Sequence, residues 1–233
     1  LLKTWGEPME AGWTRWMLDQ HRVAYNTLGT ATVRAGGLAD RYDVVLVQDQ
    51  SLSSLRDGLS GDLLPAPYAG GLGEDGLDAL RDFVIQGGRL VAVESATEMA
   101  VELFDLEVSN GVERLPQGEF YIPGSILGVA LEDDPEVAGL SSDVPIWFWR
   151  SSRTFESSDP RVDVLARFHD APLLSGWALG TEHVSGRPAL LRASVGEGSV
   201  ILFGFQPNYR AQSVSTWPLL FRMLSPARSR TPA

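Results

Sequence analysis

Three glycines in the first half of the chain, Gly71, Gly73 and Gly76, have the spacing with which a strand–turn–helix unit binds a dinucleotide pyrophosphate. Such a site needs a buried strand that runs directly into the first glycine, so that free backbone N–H groups face the phosphates. Here a long polar segment separates the glycines from the preceding strand-like run, and Glu74 and Asp75 would repel a phosphate. The motif therefore favours a glycine-rich start of a helix without a bound nucleotide.

A second candidate for chemistry is Ser95, which follows the apolar run RLVAV and precedes a helical pattern, as the nucleophile of an α/β hydrolase does. A nucleophile elbow is strained and usually flanked by glycines, whereas the sequence here reads VAVESATEM. A serine nucleophile also needs a base within hydrogen-bond reach, and GFQPNYRAQ, the segment after the last strand-like run, contains no histidine. We therefore predict that Ser95 caps a helix and that Glu98 completes a capping box.

Metal ligands are few in this sequence. The three histidines, His21, His169 and His183, lie in unrelated segments without His-x-x-Glu or His-Glu-x-x-His spacing, and there are no cysteines. The acidic run LEDDPE at residues 131–136 is typical of a solvated turn, because a calcium site would need more oxygen ligands. We predict no metal site, no bound cofactor and no catalytic residue in this chain.

Two tryptophans form a candidate aromatic surface. Trp147 and Trp149 alternate with Ile146 and Phe148 in the strand-like run VPIWFWR, so one pair of aromatic side chains can face outward. An exposed pair could stack on a sugar ring or contact a partner protein. The interpretation that we favour is burial of both faces beneath a loop or a neighbouring domain.

Composition excludes several classes of protein. The chain has 233 residues, 44% of them hydrophobic, which is enough to bury a large core. A net charge of −11 and the lack of a basic run argue against nucleic acid as a partner. No apolar run reaches the roughly 18 residues of a membrane span, and no signal peptide is visible. Because the chain begins LLKTWGEP without methionine, we expect it to be part of a longer protein.

The elements that would position these residues alternate between strands and helices in the first half of the chain. The second half instead carries short strand-like runs separated by turn residues, including a hairpin around Gly196-Glu197-Gly198 and a closing helix with Pro218 in its first turn. This pattern predicts a parallel α/β core with antiparallel additions. The predicted strands and helices are LLKT, EAGWTRWMLDQH, VAYNTL, DVVLVQDQ, DGLDALRDFVIQGG, RLVAVE, SATEMAVELFDL, SILGVALE, VPIWFWR, VDVLARF, LSGWAL, RPALLRASV, SVILFGF and STWPLLFRML.

Taken in order, these segments resemble a known family, the C-terminal domain that follows the catalytic domain in certain bacterial zinc carboxypeptidase-like proteins. The segments that carry the resemblance are MEAGWTRWMLDQH, YDVVLVQD, YAGGLGEDGLDALRDFVIQGGRLVAVESATEMAVE, YIPGSILGV, LSGW and GEGSVILFGFQPNYRAQSVSTWPLLF, which together span nearly the whole chain. The resemblance implies a single domain over residues 1–233. Its fold would be α/β, flavodoxin-like or class I glutamine amidotransferase-like, with a mostly parallel central sheet flanked by helices and antiparallel additions in the C-terminal half.

The same resemblance implies the fold without the glutaminase chemistry. Active amidotransferases place a cysteine after the nucleophile strand, and pair it with a histidine and an acid near the last strand. This chain has Glu94-Ser95 at the first place and the run QPNYR, residues 206–210, at the second. The zinc ligands of a carboxypeptidase would lie in an upstream metallopeptidase domain outside this sequence.

These implications predict a non-catalytic accessory domain of an extracytoplasmic or secreted zinc carboxypeptidase-like protein. The domain would serve interdomain packing, oligomerisation or substrate positioning, with the upstream catalytic domain or a second copy as its partner. One alternative is a relic pocket at the strand ends that binds or hydrolyses a small molecule, formed by Glu94, Ser95, Tyr209, Arg210 and Gln212, with Arg210 binding a carboxylate. Another is a carbohydrate-binding module that uses Trp147 or Trp149.

Overall fold

The structure is a computed structural model and describes residues 1–59, 64–65 and 68–225. Its strands are β1 (Leu2–Lys3), β2 (Leu28–Gly29), β3 (Val44–Val47), β4 (Arg89–Val93), β5 (Val108–Asn110), β6 (Ser125–Leu131), β7 (Asp143–Phe148), β8 (Phe155–Ser157), β9 (Val162–Ser175), β10 (Pro188–Val195) and β11 (Gly198–Phe203). Its α-helices are α1 (Met9–Gln20), α2 (Thr30–Arg34), α3 (Leu52–Arg56), α4 (Gly73–Ile85), α5 (Ala96–Leu103) and α6 (Trp217–Leu224). The predicted single domain over residues 1–233 includes residues outside these ranges and stays a prediction.

The main sheet has seven strands in the order β3-β4-β11-β10-β9-β6-β7. Strands β3, β4 and β11 are parallel, and every pairing from β11 to β7 is antiparallel. The α/β class is therefore confirmed, but the prediction of a mostly parallel sheet is wrong. The physical reason is that tight connections, such as the two-residue turn between Val195 and Gly198, force neighbouring strands to run in opposite directions.

Two apolar layers cover the two faces of this sheet. In β4, Val91 and Val93 pack in one layer with residues of α1 and α6, whereas Leu90 and Ala92 pack in the other layer with residues of α4 and α5. This division follows from the alternation of side chains along a strand. All five residues of β4 are buried, as expected for a strand between two helical layers.

Most predicted elements form, with two corrections in extent. Of the run VAYNTL only Leu28 belongs to a strand, the short β2 (Leu28–Gly29), which pairs with β1 in a separate two-stranded sheet. The run LSGWAL forms no strand of its own; Ser175 ends β9, and Leu179 makes only an isolated bridge to Tyr121. The glycine motif leads into α4, as predicted, with Gly73 at φ 60°.

Within the described ranges, no helix is both long enough and apolar enough to cross a bilayer. This observation agrees with the absence of a long apolar run in the sequence.

Candidate functional site

The candidate site lies where the three parallel strands end. Gln48, Asp49 and Gln50 follow β3, the Glu94–Ser95 turn follows β4, and Gln206 follows β11. Because the carboxyl ends of parallel neighbours meet at one edge of a sheet, these polar residues converge there. The Glu94–Ser95 turn is called the elbow below.

The backbone of the elbow is strained at Glu94. This residue has φ of 49°, in the left-handed region that costs a non-glycine residue roughly 1–2 kcal/mol. Its N–H donates to the Phe203 carbonyl at 2.8 Å, which continues the pairing of β4 with β11, and the Thr97 hydroxyl donates to its carbonyl at 2.6 Å. The strained turn that an α/β hydrolase builds with flanking glycines is thus present here without them.

The carboxyl group of Glu94 is fully buried, with 0% exposure. The Ser152 hydroxyl donates to Oε1, and the Gln206 side-chain amide donates to Oε2 at 2.5 Å. Burial, together with the charge of Asp49, raises the pKa of Glu94 to about 8 against the opposing effects of Ser152, Gln206 and Arg153. Glu94 is therefore mainly neutral at pH 7, and it has no surface with which to contact a substrate.

Ser95 is held by groups from other segments. Its backbone N–H donates to Asp49 Oδ1 at 3.0 Å, and its hydroxyl accepts from Arg153 Nη2 at 3.3 Å. The predicted capping box is wrong, because Ser95 makes no side-chain cap and Glu98 instead accepts from Arg153 Nη1 at 2.7 Å. The reason is that Ser95 already has helical angles, φ −60° and ψ −26°, so its hydroxyl does not point at the free amides of α5.

No histidine of the described residues contacts Ser95. His21 Nδ1 lies 3.0 Å from the Met17 carbonyl oxygen, and His183 Nε2 lies 3.4 Å from Glu119. His169 Nε2 lies 3.1 Å from Asp143 Oδ1, although the angles do not make a hydrogen bond. The elbow therefore presents a hydroxyl beside a guanidinium, without an imidazole to accept its proton.

The other three predicted pocket residues make no hydrogen bond with the Glu94 carboxyl, whose described partners are Ser152 and Gln206. Tyr209 is 6% exposed and forms an aromatic stack with Trp147, at 4.6 Å between ring centroids, and with Trp149, at 5.6 Å. Arg210 is exposed and lies 5.2 Å over the Tyr209 ring. Gln212 is exposed, and its only hydrogen bond within the described chain is from its backbone N–H to the Tyr209 carbonyl, at 2.9 Å.

The charge of Arg210 acts on a second carboxyl group, that of Glu10. Burial raises the pKa of Glu10, Asp49 raises it further, and the charge of Arg210 lowers it. The charge of Asp49 thus raises the pKa of both Glu94 and Glu10. Within the described residues, no three histidine or acidic side chains converge in a way that could hold a metal ion.

Three residues that contact the elbow have no motif in the sequence: Asp49, Ser152 and Arg153. Ser152 lies 58 residues from Glu94 in sequence, in the irregular segment after β7, and no spacing rule connects the two. A fourth partner, Gln206, belongs to the run QPNYR, which stands where the resemblance places the catalytic histidine and acid.

The predicted aromatic surface is half covered. Trp147 and Trp149 are both half-buried, their ring centroids lie 6.3 Å apart, and the Trp147 Nε1 is buried without a hydrogen-bond partner among the described residues. Trp149 also borders a cleft of about 370 Å³ between residues 110–122 and 148–153. Ser152 and Arg153, which hydrogen-bond to Glu94 and Ser95, also line this cleft. We call it the aromatic cleft.

Comparison with known proteins gives the fold alone. No family model and no curated protein matches the chain. A putative GMP synthase component from Thermoplasma acidophilum is 9% identical, with a TM-score of 0.57 over 96% of this chain and 90% of that one. A putative ThuA-like protein from Bacteroides uniformis is 12% identical, with a TM-score of 0.51 over 96% of this chain and 89% of that one.

A β-galactosidase from Bacillus circulans sp. alkalophilus is also similar. It is 14% identical, with a TM-score of 0.56, and the match covers 92% of this chain and 26% of the enzyme, so the chain spans about a quarter of that protein's length. None of these three is named as a zinc carboxypeptidase. The described chain therefore has an α/β fold related to the glutamine amidotransferase-like proteins.

Proposed function

We propose that this chain is a non-catalytic accessory domain of a larger protein, which the sequence resemblance suggests is zinc carboxypeptidase-like. The observation that carries the proposal is the burial of the Glu94 carboxyl group and its hydrogen bonds within the protein. At the position where the amidotransferase fold holds its nucleophile, a carboxyl group with no exposed surface accepts two hydrogen bonds from within the protein. This group stabilises the elbow and is closed to substrates.

The remaining hydroxyl at the elbow lacks the means for acyl transfer. A serine nucleophile must lose its proton to a nearby base, and the groups that contact Ser95 are a guanidinium and, at its backbone, the Asp49 carboxylate. The Ser95 hydroxyl accepts from Arg153, which cannot take a proton at physiological pH. The contacts of Ser95 therefore fit a structural role and not that of a nucleophile.

An exposed aromatic patch supports a role in packing against another domain. Trp5 is 49% exposed and Tyr68 45% exposed, and their ring centroids are 4.7 Å apart. Leu59, 41% exposed, lies beside Gly6 in the same area. Contiguous exposed apolar side chains of this kind mark interaction surfaces more often than isolated ones do. We propose the upstream catalytic domain as the partner of this patch. The family resemblance implies that this domain is zinc-binding and extracytoplasmic.

Two measurements test the proposal. The purified chain is assayed for hydrolysis of L-glutamine and of p-nitrophenyl acetate, next to the Ser95→Ala variant. We expect no turnover above buffer from either protein. Turnover by the parent sequence that is lost in Ser95→Ala would overturn the non-catalytic assignment.

The second measurement uses the full-length protein. Trp5→Ser is expected to lower its thermal stability or peptide hydrolysis, whereas Trp177→Ser, which alters a tryptophan of similar exposure at 54%, leaves both unchanged. Equal effects of the two substitutions would contradict a specific role of the Trp5 patch.

A further inference from the structure

The aromatic cleft differs from the elbow in how its polar side chains are used. At the elbow, the Glu94 carboxyl, the Ser95 hydroxyl and the Arg153 guanidinium all have partners. Along the cleft, the side chains of Gln117 and Arg150 make no hydrogen bond or ion pair with any described residue. The cleft therefore presents hydrogen-bonding groups without a hydrogen-bond partner among the described residues, although Arg150 lies over the Trp149 ring.

We propose that the aromatic cleft binds a neutral sugar, as a monosaccharide or disaccharide. Its volume of about 370 Å³ is within the range of roughly 300–1,000 Å³ for small-molecule sites. Tyr121 and Trp149 contribute half-buried rings to its wall. Aromatic faces of this kind pack against the C–H face of a sugar ring, while the polar groups around them fix its hydroxyls.

The charges along the cleft favour a neutral ligand over an anion. Arg150 lies 5.9 Å over the Trp149 ring without an acidic partner among the described residues, and Glu113 carries the opposite charge in the same cleft. Arg153 is already paired with Glu98. An anion would meet the Glu113 carboxylate, whereas a sugar hydroxyl can donate to that carboxylate and accept from Arg150 or Gln117.

Hydrogen bonds of Ser152 fix one wall of the cleft. Ser152 lines the cleft and donates to the buried Glu94, and its hydroxyl accepts from the Trp149 backbone N–H at 2.8 Å. The segment that carries Trp149 and Arg150 is thereby fixed to the end of β4. A wall held by buried hydrogen bonds keeps its ring in place before the ligand arrives, which lowers the entropy cost of binding.

Saturation-transfer NMR on the whole chain tests the proposal, with D-galactose, D-glucose, lactose and cellobiose as probes at about 10 mM, enough to detect a Kd near 1 mM. L-glutamine and glycylglycine serve as zwitterionic probes. We expect transfer to at least one sugar, and binding weakened about tenfold, or 1.4 kcal/mol, by Trp149→Ala and by Arg150→Ala. The Arg114→Ala variant, which alters an exposed arginine outside the cleft lining, should bind like the parent sequence.

Three results would overturn the sugar assignment: no transfer to any of the four sugars, transfer that both cleft variants retain, or transfer to the zwitterions alone. Because Trp149 belongs to the aromatic stack, Arg150→Ala provides the test at an exposed side chain if Trp149→Ala fails to fold. Any of these results leaves the accessory-domain proposal intact, since that proposal is tested by turnover and not by sugar binding.

Discussion

Replacement of Glu94 by glutamine tests whether the elbow carboxyl is a neutral structural group. Glutamine has nearly the same shape, and its amide oxygen can accept from Gln206 while its amide nitrogen donates to the Ser152 hydroxyl. The substitution therefore imitates the protonated acid and removes its ionisation, with the Ser152 hydroxyl changing from donor to acceptor. The nearby charges of Asp49 and Arg153 are the same in both proteins.

The expected magnitude follows from the pKa of Glu94, which is about 8 in the folded protein against an ordinary value of 4.5. Between these values the folded state binds more protons than the unfolded state, so the free energy of unfolding falls as pH rises. The slope is about 1.4 kcal/mol per pH unit, which amounts to about 3 to 4 kcal/mol between pH of about 5 and about 8. The Glu94→Gln variant lacks this pH-dependent loss. The difference in free energy of unfolding, variant minus parent sequence, therefore increases with pH.

Urea unfolding of both proteins at about pH 5, 6.5 and 8 measures this difference, because the midpoints convert to free energies of unfolding. Glu132→Gln is the matched control, since Glu132 forms a surface pair with Arg167 and has 42% side-chain exposure. We expect Glu132→Gln to follow the parent sequence at each pH. If the free-energy difference between Glu94→Gln and the parent sequence were constant across this range, Glu94 would not be the buried neutral acid described above.

Further predictions concern stability. In Arg89→Ala, the Glu136 carboxylate would lose two hydrogen bonds, at 2.9 and 3.1 Å, and would keep Arg192 at 3.7 Å. We expect a loss of about 3 kcal/mol in urea unfolding, and a loss below about 1 kcal/mol would contradict a largely buried ion pair. In Gly198→Ala, the new Cβ would lie 2.2 Å from the Val84 carbonyl oxygen, so we expect a clearly lower Tm. Gly12→Ala adds a Cβ in open space on α1 and should raise stability by up to about 1 kcal/mol; an unchanged or lower Tm would be evidence against this reasoning.

Several elements could be predicted because their signals are local. The buried run RLVAV is β4, the periodic apolar residues after Gly73 form α4, and Gly196-Glu197 form the turn of a hairpin. In each case neighbouring residues carry the pattern, so periodicity and turn chemistry are enough. The order and direction of strands in the sheet depend on contacts between distant segments, so the local pattern predicts a mostly parallel sheet where the structure has a mixed one.

The amino-acid order already shows an acid and a hydroxyl at the elbow, no cysteine in the chain and no histidine in the segment after the last strand. The role of these groups depends on contacts that form when the chain folds. Ser152 and Arg153 reach Glu94 and Ser95 across 58 residues, and Gln206 reaches Glu94 across 112. The pKa of a carboxyl and the availability of a hydroxyl depend on burial and on hydrogen-bond partners, and both are set by packing between segments that are far apart in the chain.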